Sequence, residues 1–148
     1  MTIIVRQYKG RIKIKMFLTR ECDYAVRIVR VLSDYEKKPV KEISEIELIP
    51  YQFAYKILKK LEYRKLVESF RGIHGGYRLC KPLTEITLLE IVSSVDKGLL
   101  INDCLEAGHK CPRDSISAPC KVKHELCRLQ KMLTDGLSEK SMDEILNG

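Results

Sequence analysis

The fold of this chain is decided by residues 66–79, LVESFRGIHGGYRL. Strand-favouring residues at 66–70 and 77–79 flank a segment, 71–76, that holds three glycines. Two short strand-like runs separated by a glycine-bearing turn are typical of an antiparallel β-hairpin. The stretch therefore predicts a small hairpin, and helical patterns lie on both sides of it.

Three helices are predicted before the hairpin. Thr19 is a suitable N-cap, and apolar residues recur at helical spacing after it until Lys38-Pro39 ends the run. Residues 40–48 predict a short second helix, and Pro50 stands where a third helix can begin. The tight turn between these two helices indicates a helix-turn-helix. The expected apolar faces are Tyr24, Ile28, Val31, Leu32 and Tyr35 in the first helix, and Ile57, Leu58 and Leu61 in the third.

Two further helical regions are predicted after the hairpin, with a long loop between them. Thr84 is expected to cap a helix whose apolar residues end at Val95. Glycine, proline and serine then make residues 101–119 irregular, and a loop of this length is usually functional or disordered. A final helix is predicted from about Cys120 to Leu133, followed by a short segment that ends at Leu146. Its apolar residues are Val122, Leu126, Leu129 and Leu133.

Charge and composition narrow the class of protein. The 148 residues carry a formal net charge of +7, which favours a polyanionic partner. Five of these charges lie in residues 1–15, a segment without acids that we expect to be a loose arm or to precede the true start at Met16. We expect no secretory signal, no membrane span and a cytoplasmic location. In that reducing compartment, the six cysteines are expected to be thiols or metal ligands rather than disulfides.

The third predicted helix has the side chains that a DNA-reading helix needs. Polar and aromatic residues in its first turns can address base edges, and Lys56, Lys59, Lys60 and Arg64 can follow the phosphate backbone. A guanidinium in the hairpin, beside a flexible glycine, can enter a minor groove. For any single lysine, a solvated helix face is the simpler interpretation. The predicted DNA-binding residues are Tyr51, Gln52, Phe53, Tyr55, Lys56, Arg71 and Gly72.

The sequence resembles the Rrf-two type of bacterial transcriptional regulators, the IscR/NsrR/CymR-like family, from about Phe17 to Leu146. The specific part is the hairpin motif at 71–79, which runs into Ile86-Thr87-Leu88. Further landmarks are Leu18-Thr19, Tyr24-Ala25-Val26, Ile43-Ser44-Glu45, Leu61 and Leu66-Val67. The resemblance implies a homodimeric repressor that binds a partly palindromic operator in double-stranded DNA, with the C-terminal helix pairing the subunits.

The expected fold is mainly α with a small β-hairpin wing, a winged helix-turn-helix with a long C-terminal dimerisation helix. The expected parts are the extension at 1–15, the DNA-binding domain at 16–98, a cysteine-bearing sensor loop at 99–119, and the dimerisation helix with its C-terminal segment at 120–148. The sequence departs from the family where Leu48 replaces a turn glycine, where Tyr55 replaces an acid, and where Ile73 and His74 replace wing glycines. The operator sequence is therefore not expected to match that of a relative.

Three cysteines, Cys104, Cys111 and Cys120, form a C-x6-C-x8-C pattern across the loop and the start of the last helix. Thiolates are the natural ligands of iron–sulfur clusters and of zinc. Zinc ribbons usually have paired C-x2-C knuckles, which this chain lacks, so the spacing favours a [2Fe-2S] or [4Fe-4S] cluster. The same three-cysteine pattern distinguishes the cluster-binding members of the family that the chain resembles. Cys22 and Cys80 are expected to be buried structural thiols.

The fourth ligand of such a cluster stays open. His124 and Cys127 lie on the same side of the last helix as Cys120, although Cys127 is more simply a packed side chain. In some nitric-oxide-sensing members of the family, a carboxylate from the first helix of the other subunit takes this role, and Asp23 is at the matching position. His109 is a weaker candidate.

The expected function is transcriptional regulation that senses iron–sulfur cluster status, nitric oxide or redox state through the three cysteines. One alternative is a cysteine-metabolism or thiol-redox regulator of the same fold without a cluster. Another is a winged-helix module for protein interactions. An enzyme is not expected, because no nucleophile, base and oxyanion donors are assembled in the pattern.

Overall fold

The structure is a computed structural model that describes residues 18–96, 99–115 and 118–148. The basic extension at 1–15 and Met16 lie outside the described residues. The described elements, in chain order, are α1 (Arg20–Val31), α2 (Val40–Glu47), α3 (Tyr51–Tyr63), β1 (Val67–Phe70), β2 (Gly76–Leu79), α4 (Leu88–Val95), α5 (Lys121–Ser138) and α6 (Met142–Asn147), with single 3-10 turns at Leu83–Glu85 and Asp103–Leu105.

The predicted hairpin is present and has a defined register. Strands β1 and β2 are antiparallel, with Val67 opposite Leu79 and Phe70 opposite Gly76. Backbone groups of Lys38 and Tyr77 exchange two hydrogen bonds, of 2.9 and 2.8 Å, which attach the hairpin to the chain between α1 and α2. The hairpin is therefore held at a fixed place beside the three N-terminal helices.

The core lies between α1, α2, α3, α4 and the inner face of the hairpin. Ile57, Leu58 and Leu61 of α3 are fully buried, as their spacing predicts. Met142 of α6 is also buried in this core, and its backbone amide donates to the carbonyl of Ile86 at 2.7 Å. The last helix of the chain therefore packs back onto the helix-turn-helix.

Two expectations about helix limits are wrong. The first helix ends at Val31, and Tyr35 follows in the left-handed region with φ 60° and a half-exposed side chain, so it is not part of the apolar face. Its hydroxyl accepts a hydrogen bond from the amide of Leu83 at 2.8 Å. The cap of α4 is Thr87, not Thr84. The backbone at Ile86 is extended, which lets its side chain enter the core and its carbonyl pair with α6.

The two cysteines expected to be buried differ. Cys22 is 1% exposed in α1, as predicted. Cys80 is exposed, because burial alternates along β2 and this residue follows buried Leu79. Its thiol donates to the carbonyl of Lys65 at 2.8 Å, and partial burial raises its pKa.

The long C-terminal helix is longer than predicted and ends at Ser138 rather than Leu133. Cys120 is its N-cap, and its sulfur accepts the backbone N–H of Lys123. None of the residues of α5 is buried. No helix in the described ranges combines the length and the apolar character needed to cross a bilayer.

Candidate nucleic-acid interface and cysteine site

Helix α3 presents its polar face outward because its opposite face is anchored in the core. Ala54, Ile57, Leu58 and Leu61 are all fully buried. The predicted reading residues Tyr51, Gln52, Tyr55 and Lys56 are exposed, as is Phe53. A helix fixed in this way can enter a major groove without losing its packing.

The aromatic residues of this face do not all point the same way. The rings of Tyr51 and Tyr55 are 54% and 46% exposed. The ring of Phe53 meets the ring of Tyr24 edge-on, with centroids 6.2 Å apart, so it lies at the junction of α1 and α3. Phe53 is 47% exposed, about as much as Tyr55, and differs from it in having this ring contact with α1.

The turn before α3 has the backbone conformation that the family glycine would favour. Leu48 lies in the left-handed region with φ 53° and ψ 43°, and its side chain is 83% exposed. Such a conformation is unfavourable for a leucine. The substitution therefore leaves the turn geometry in place and adds an apolar side chain beside the reading helix.

The lysines on the flank of α3 are paired within the chain. The Lys56 ammonium lies 2.8 Å from Glu21 Oε1, and the Lys60 ammonium bonds Glu21 Oε2 and the carbonyl of Val95. Hydrogen bonds from Lys56 and Lys60 hold the pKa of the Glu21 carboxyl below its usual range. Sequence reasoning missed Glu21, because its distance from α3 along the chain gives no signal of contact.

Lys59 has a different environment. Its ammonium lies 2.8 Å from Glu62 Oε2 and 5.8 Å from the ring centroids of both Tyr55 and Tyr77. The hydrogen bonds with Glu62 and then with Tyr77 raise the pKa of Lys59. This lysine therefore links α3 to the hairpin.

The tip of the hairpin is a tight turn. The amide of Gly75 donates to the carbonyl of Gly72 at 2.9 Å, and Gly72 has φ 102°, which favours glycine. Arg71 is exposed beside this turn, and Ile73 is 98% exposed at its tip. Arg71 and Gly72 are therefore exposed at the tip of the wing, and their contact with a sugar-phosphate backbone stays a prediction.

The predicted metal ligands lie at the start of α5 and in the loop before it. Cys104 is in the 3-10 turn that packs against α5, Cys120 caps α5, and Cys111 lies between them; all three thiols are free and partly exposed. Among the residues that the structure describes, no three His, Cys, Asp or Glu side chains are arranged so that they could hold a metal ion.

A carboxylate that the sequence analysis did not single out links these cysteines. Asp114 accepts the amide of Cys120 at 3.0 Å and the ammonium of Lys123 at 2.6 Å, and its own amide donates to the carbonyl of Cys111 at 3.1 Å. The pKa of Asp114 is lowered, first by the hydrogen bond from Lys123 and then by that from Cys120. Cys104 and Cys127 are close enough to Lys123 to act on its charge. Lys123 is thus the cation that these groups share.

Of the candidate fourth ligands, Asp23 has contacts separate from this cluster, whereas the backbone amide of His124 donates to the carbonyl of Cys120 at 3.1 Å. Asp23 pairs with Arg27 at 2.9 Å and lines a cavity of about 600 Å³ with Thr19, Cys22 and Leu48. His124 is exposed on α5, and so is Cys127. His109 is exposed in the loop.

Comparison with known proteins agrees with this architecture. The Rrf2 family model, described as an iron-dependent transcriptional regulator, matches residues 18–148. The chain is 27% identical to the HTH-type transcriptional regulator NsrR of Oceanobacillus iheyensis over 135 residues, which cover 88% of this chain and 90% of that protein. It is 28% identical to the HTH-type transcriptional regulator IscR of Photorhabdus laumondii subsp. laumondii over 141 residues, 89% of this chain and 80% of that protein.

Solved structures share the fold. The oxidised form of CymR from Staphylococcus aureus superposes with a TM-score of 0.67 at 18% identity, over 90% of this chain and 98% of that one. The predicted winged helix-turn-helix, with its helices and two-stranded wing, is therefore confirmed. The chain belongs to the Rrf2 family and is a DNA-binding transcriptional regulator.

Proposed function

We propose that this protein acts in the cytoplasm as a homodimer whose operator binding depends on an iron–sulfur cluster held by Cys104, Cys111 and Cys120. One observation carries the proposal: Cys120 caps α5, and Cys104 lies in the turn packed against that helix. A group held by these thiols joins the loop to the start of the longest helix.

The donor set fits such a group by its chemistry. Thiolates are the usual ligands of iron–sulfur clusters, and partial exposure gives a cluster access to all three sulfurs. The ammonium of Lys123 nearby offsets the negative charge that several thiolates bring together. We assign these three cysteines as ligands and keep Asp23 and His124 as candidates for the fourth position.

The surface of α5 supports a homodimer. Val122 and Met132 are 68% and 59% exposed, and Leu129 is 38% exposed, on a helix that buries no residue within its own chain. Large apolar side chains in a row along a helix are usually covered by a partner. A second copy of α5 is the partner that the family resemblance implies.

The coupling between the two sites runs through packed elements. Helix α5 contacts α4, and α4 contacts both α1 and α3. Gln130 of α5 accepts the amide of Ile101 at 2.8 Å and donates to the carbonyl of Leu99 at 2.7 Å. When bound, a cluster supplies a redox-active and nitric-oxide-reactive centre. A change in how the loop is held at Cys120 then alters the placement of α5 and of the paired reading helices.

A thiol switch without a metal is the second candidate function. It is favoured by the partly exposed, free thiols of Cys104, Cys111 and Cys120. In this case, oxidation of the loop cysteines replaces cluster binding as the signal.

The test is anaerobic purification followed by iron, sulfide and visible-absorbance measurements, with operator DNA selected from a random duplex pool. We expect a coloured protein with stoichiometric iron, and loss of both iron and signal-dependent DNA binding when Cys104, Cys111 and Cys120 are changed to serine. Cys80→Ser is the matched control, because this exposed thiol follows β2 and bonds the carbonyl of Lys65 rather than the cysteine loop, and it should keep the cluster.

Two other outcomes are informative. A colourless protein whose operator binding still responds to oxidant supports the thiol switch. Operator binding that is indifferent to iron, nitric oxide and oxidant in both forms contradicts sensing by these cysteines. DNA reading is tested separately, since Gln52→Ala and Arg71→Ala together should weaken operator binding by about tenfold or more.

A further inference from the structure

One carboxylate occupies the phosphate-binding flank of the reading helix. Glu21 of α1 bonds the ammonium groups of both Lys56 and Lys60, and Lys60 also bonds the carbonyl of Val95 at 2.9 Å. The two lysines are successive members of one face of α3, four residues apart. Two of the cations expected to meet DNA phosphates therefore share one carboxylate, which offsets part of their charge within the protein.

The two lysines that Glu21 bonds line a cleft between α3 and α4. It has a volume of about 830 Å³, and its walls include the cations of Lys56, Lys59, Lys60 and Arg64 with the hydroxyls of Ser93 and Ser94. Glu62 holds Lys59 at 2.8 Å, and Arg64 donates weakly to the carbonyl of Ser93. The wall is thus strongly cationic, and Glu21 of α1 bonds two of its four cations.

The three charged groups differ in freedom. The side chain of Glu21 is 27% exposed, whereas that of Lys56 is 58% exposed. Glu21 lies in the first turn of α1, between the N-cap Thr19 and the buried Cys22, so its backbone is fixed. Lysine has a long flexible stem that can carry its ammonium to a new anion. Lys56 can therefore leave Glu21, and Lys60, whose side chain is 33% exposed, can leave it only by also releasing the carbonyl of Val95; Glu21 is held on α1 and cannot follow them.

We propose that Glu21 is a built-in competitor of DNA phosphate, which holds Lys56 and Lys60 until a correctly placed backbone displaces it. The proposal rests on the DNA binding stated above and adds a residue that sets its strength. Each lysine that moves to DNA exchanges one anion for another, so its net electrostatic gain is smaller than that of a free cation. Non-specific binding depends almost entirely on phosphate contacts, whereas operator binding also uses base contacts. Glu21 therefore suppresses non-specific binding more than operator binding.

The opposite role is also physically reasonable. Glu21 could place the two ammonium groups where phosphates need them, in which case its removal weakens DNA binding. The two roles predict opposite signs for the same substitution, and this makes the experiment decisive.

The experiment compares Glu21→Gln with the wild-type chain on a random-sequence duplex and on the selected operator, by fluorescence anisotropy between about 50 and 200 mM salt. We expect affinity for the random duplex to rise by about three- to tenfold, with a smaller rise for the operator. The slope of log K against log salt should become steeper by about one. Changing Lys56 and Lys60 to Met in the Glu21→Gln background should abolish the gain.

Glu125→Gln is the matched control. It removes the same charge from α5, where Glu125 pairs with Arg128, and it should leave the slope unchanged. Weaker binding of the random duplex by Glu21→Gln, or a change no larger than that of Glu125→Gln, overturns the proposal. Because the random duplex needs no operator recognition, this result is separate from any failure of the sensing function.

A second measurement uses the wild-type protein and does not depend on the fold of a variant. The pKa of the Glu21 carboxyl, followed by carbon-13 NMR, should rise toward its ordinary value when a random duplex is bound, because the lysines leave it. A pKa that stays low in the complex overturns the proposal.

Discussion

Helices α3 and α5 have the same kind of amphipathic pattern but differ in how far the chain buries them. Helix α3, in the head at 18–96, buries Ala54, Ile57, Leu58 and Leu61 completely. Helix α5, in the C-terminal half, is the longest helix described and buries none of its residues. The spacing of apolar residues therefore specifies a helix in both cases. Burial also needs a surface for the apolar face to pack against, and of these two helices α3 alone is fully covered by the rest of the chain.

The ion pairs of the two regions differ in the same way. In the head, several pairs join separate elements, as when Arg30 of α1 holds the buried carboxylate of Glu47 in α2, and others are local, such as Arg27 with Asp23. On α5, Lys123 pairs with Asp114 of the loop, and the other pairs join neighbouring turns of one helix, as for Glu125 with Arg128 and Lys131 with Asp135. Such local pairs support a helix weakly and do not fix its position. The head is thus held together by its own contacts, while α5, among the described elements, packs mainly against its loop and α4 and keeps large apolar side chains exposed.

The largest expected effect is on the core of the head. Leu61→Ala should lower the free energy of unfolding by about 3 kcal/mol, because the residue is fully buried and its loss leaves a cavity. Urea unfolding followed by circular dichroism measures this change.

Leu129→Ala is the matched substitution on α5. It should lower the free energy of unfolding of the dissociated chain by less than about 1 kcal/mol, because Leu129 is exposed there. It should weaken self-association, measured by analytical ultracentrifugation. Equal losses for the two variants in dilute protein would show that α5 is as well packed within one chain as α3, and would remove the contrast.

The contrast also explains which features the sequence predicts. Local signals suffice for the helices, for the wing and for the core face of α3, since each follows from spacing within a few residues. Local signals give the wrong helix limit where a contact with a distant part of the chain sets it. Thr84 has the chemistry of a cap, but the docking of Met142 at Ile86 moves the helix start to Thr87. Tyr35 continues the helical spacing, yet the chain turns there to bring its hydroxyl to Leu83.

The candidate sites follow the same rule. The residues of the reading helix and the three cysteines stand out by type and spacing, whereas Glu21 and Asp114 do not. Each of these two carboxylates acts through a contact with another element, Glu21 across to α3 and Asp114 across to the start of α5. Carboxylates are common on protein surfaces, and only the fold distinguishes these from the rest.

Two glycines allow the difference in packing between the head and α5 to be tested at the backbone. A Cβ on Gly76 of β2 would lie 2.5 Å from the carbonyl oxygen of Lys38 and 2.7 Å from its carbon, both backbone atoms that the hairpin pairing fixes. Gly76→Ala should therefore lower the free energy of unfolding by about 2 kcal/mol, through strain and loss of the Lys38–Tyr77 bridge. Thermal and urea unfolding measure it.

Gly136→Ala on α5 is the paired change. A Cβ there meets nothing within 4 Å, and alanine is the better helix former, so stability should rise by up to about 1 kcal/mol. A destabilising Gly136→Ala in dilute protein would mean that α5 is closely packed at this point. A neutral Gly76→Ala would mean that the wing is loosely held.

The smallest effect concerns the start of α5, where Asp114 holds Cys120 and Lys123. Because the pKa of Asp114 is lowered in the folded chain, its contribution is present at pH above its ordinary value of 3.8 and is lost as the pH falls below that value through the lowered pKa. Hydrogen exchange of the Cys120 and Lys123 amides should thus stay protected from neutral pH down to about 4 and lose protection below it. Asp114→Ala should reduce this protection a few-fold at neutral pH, with no loss of the helix as a whole.

The control is Glu144→Gln, which breaks the capping box of α6. Helix α6 is anchored by Met142 in the core, so it should keep its position without its cap, whereas the start of α5 has no such anchor. If both ends lose protection equally, burial does not compensate for a lost cap, and the difference between the two regions lies elsewhere.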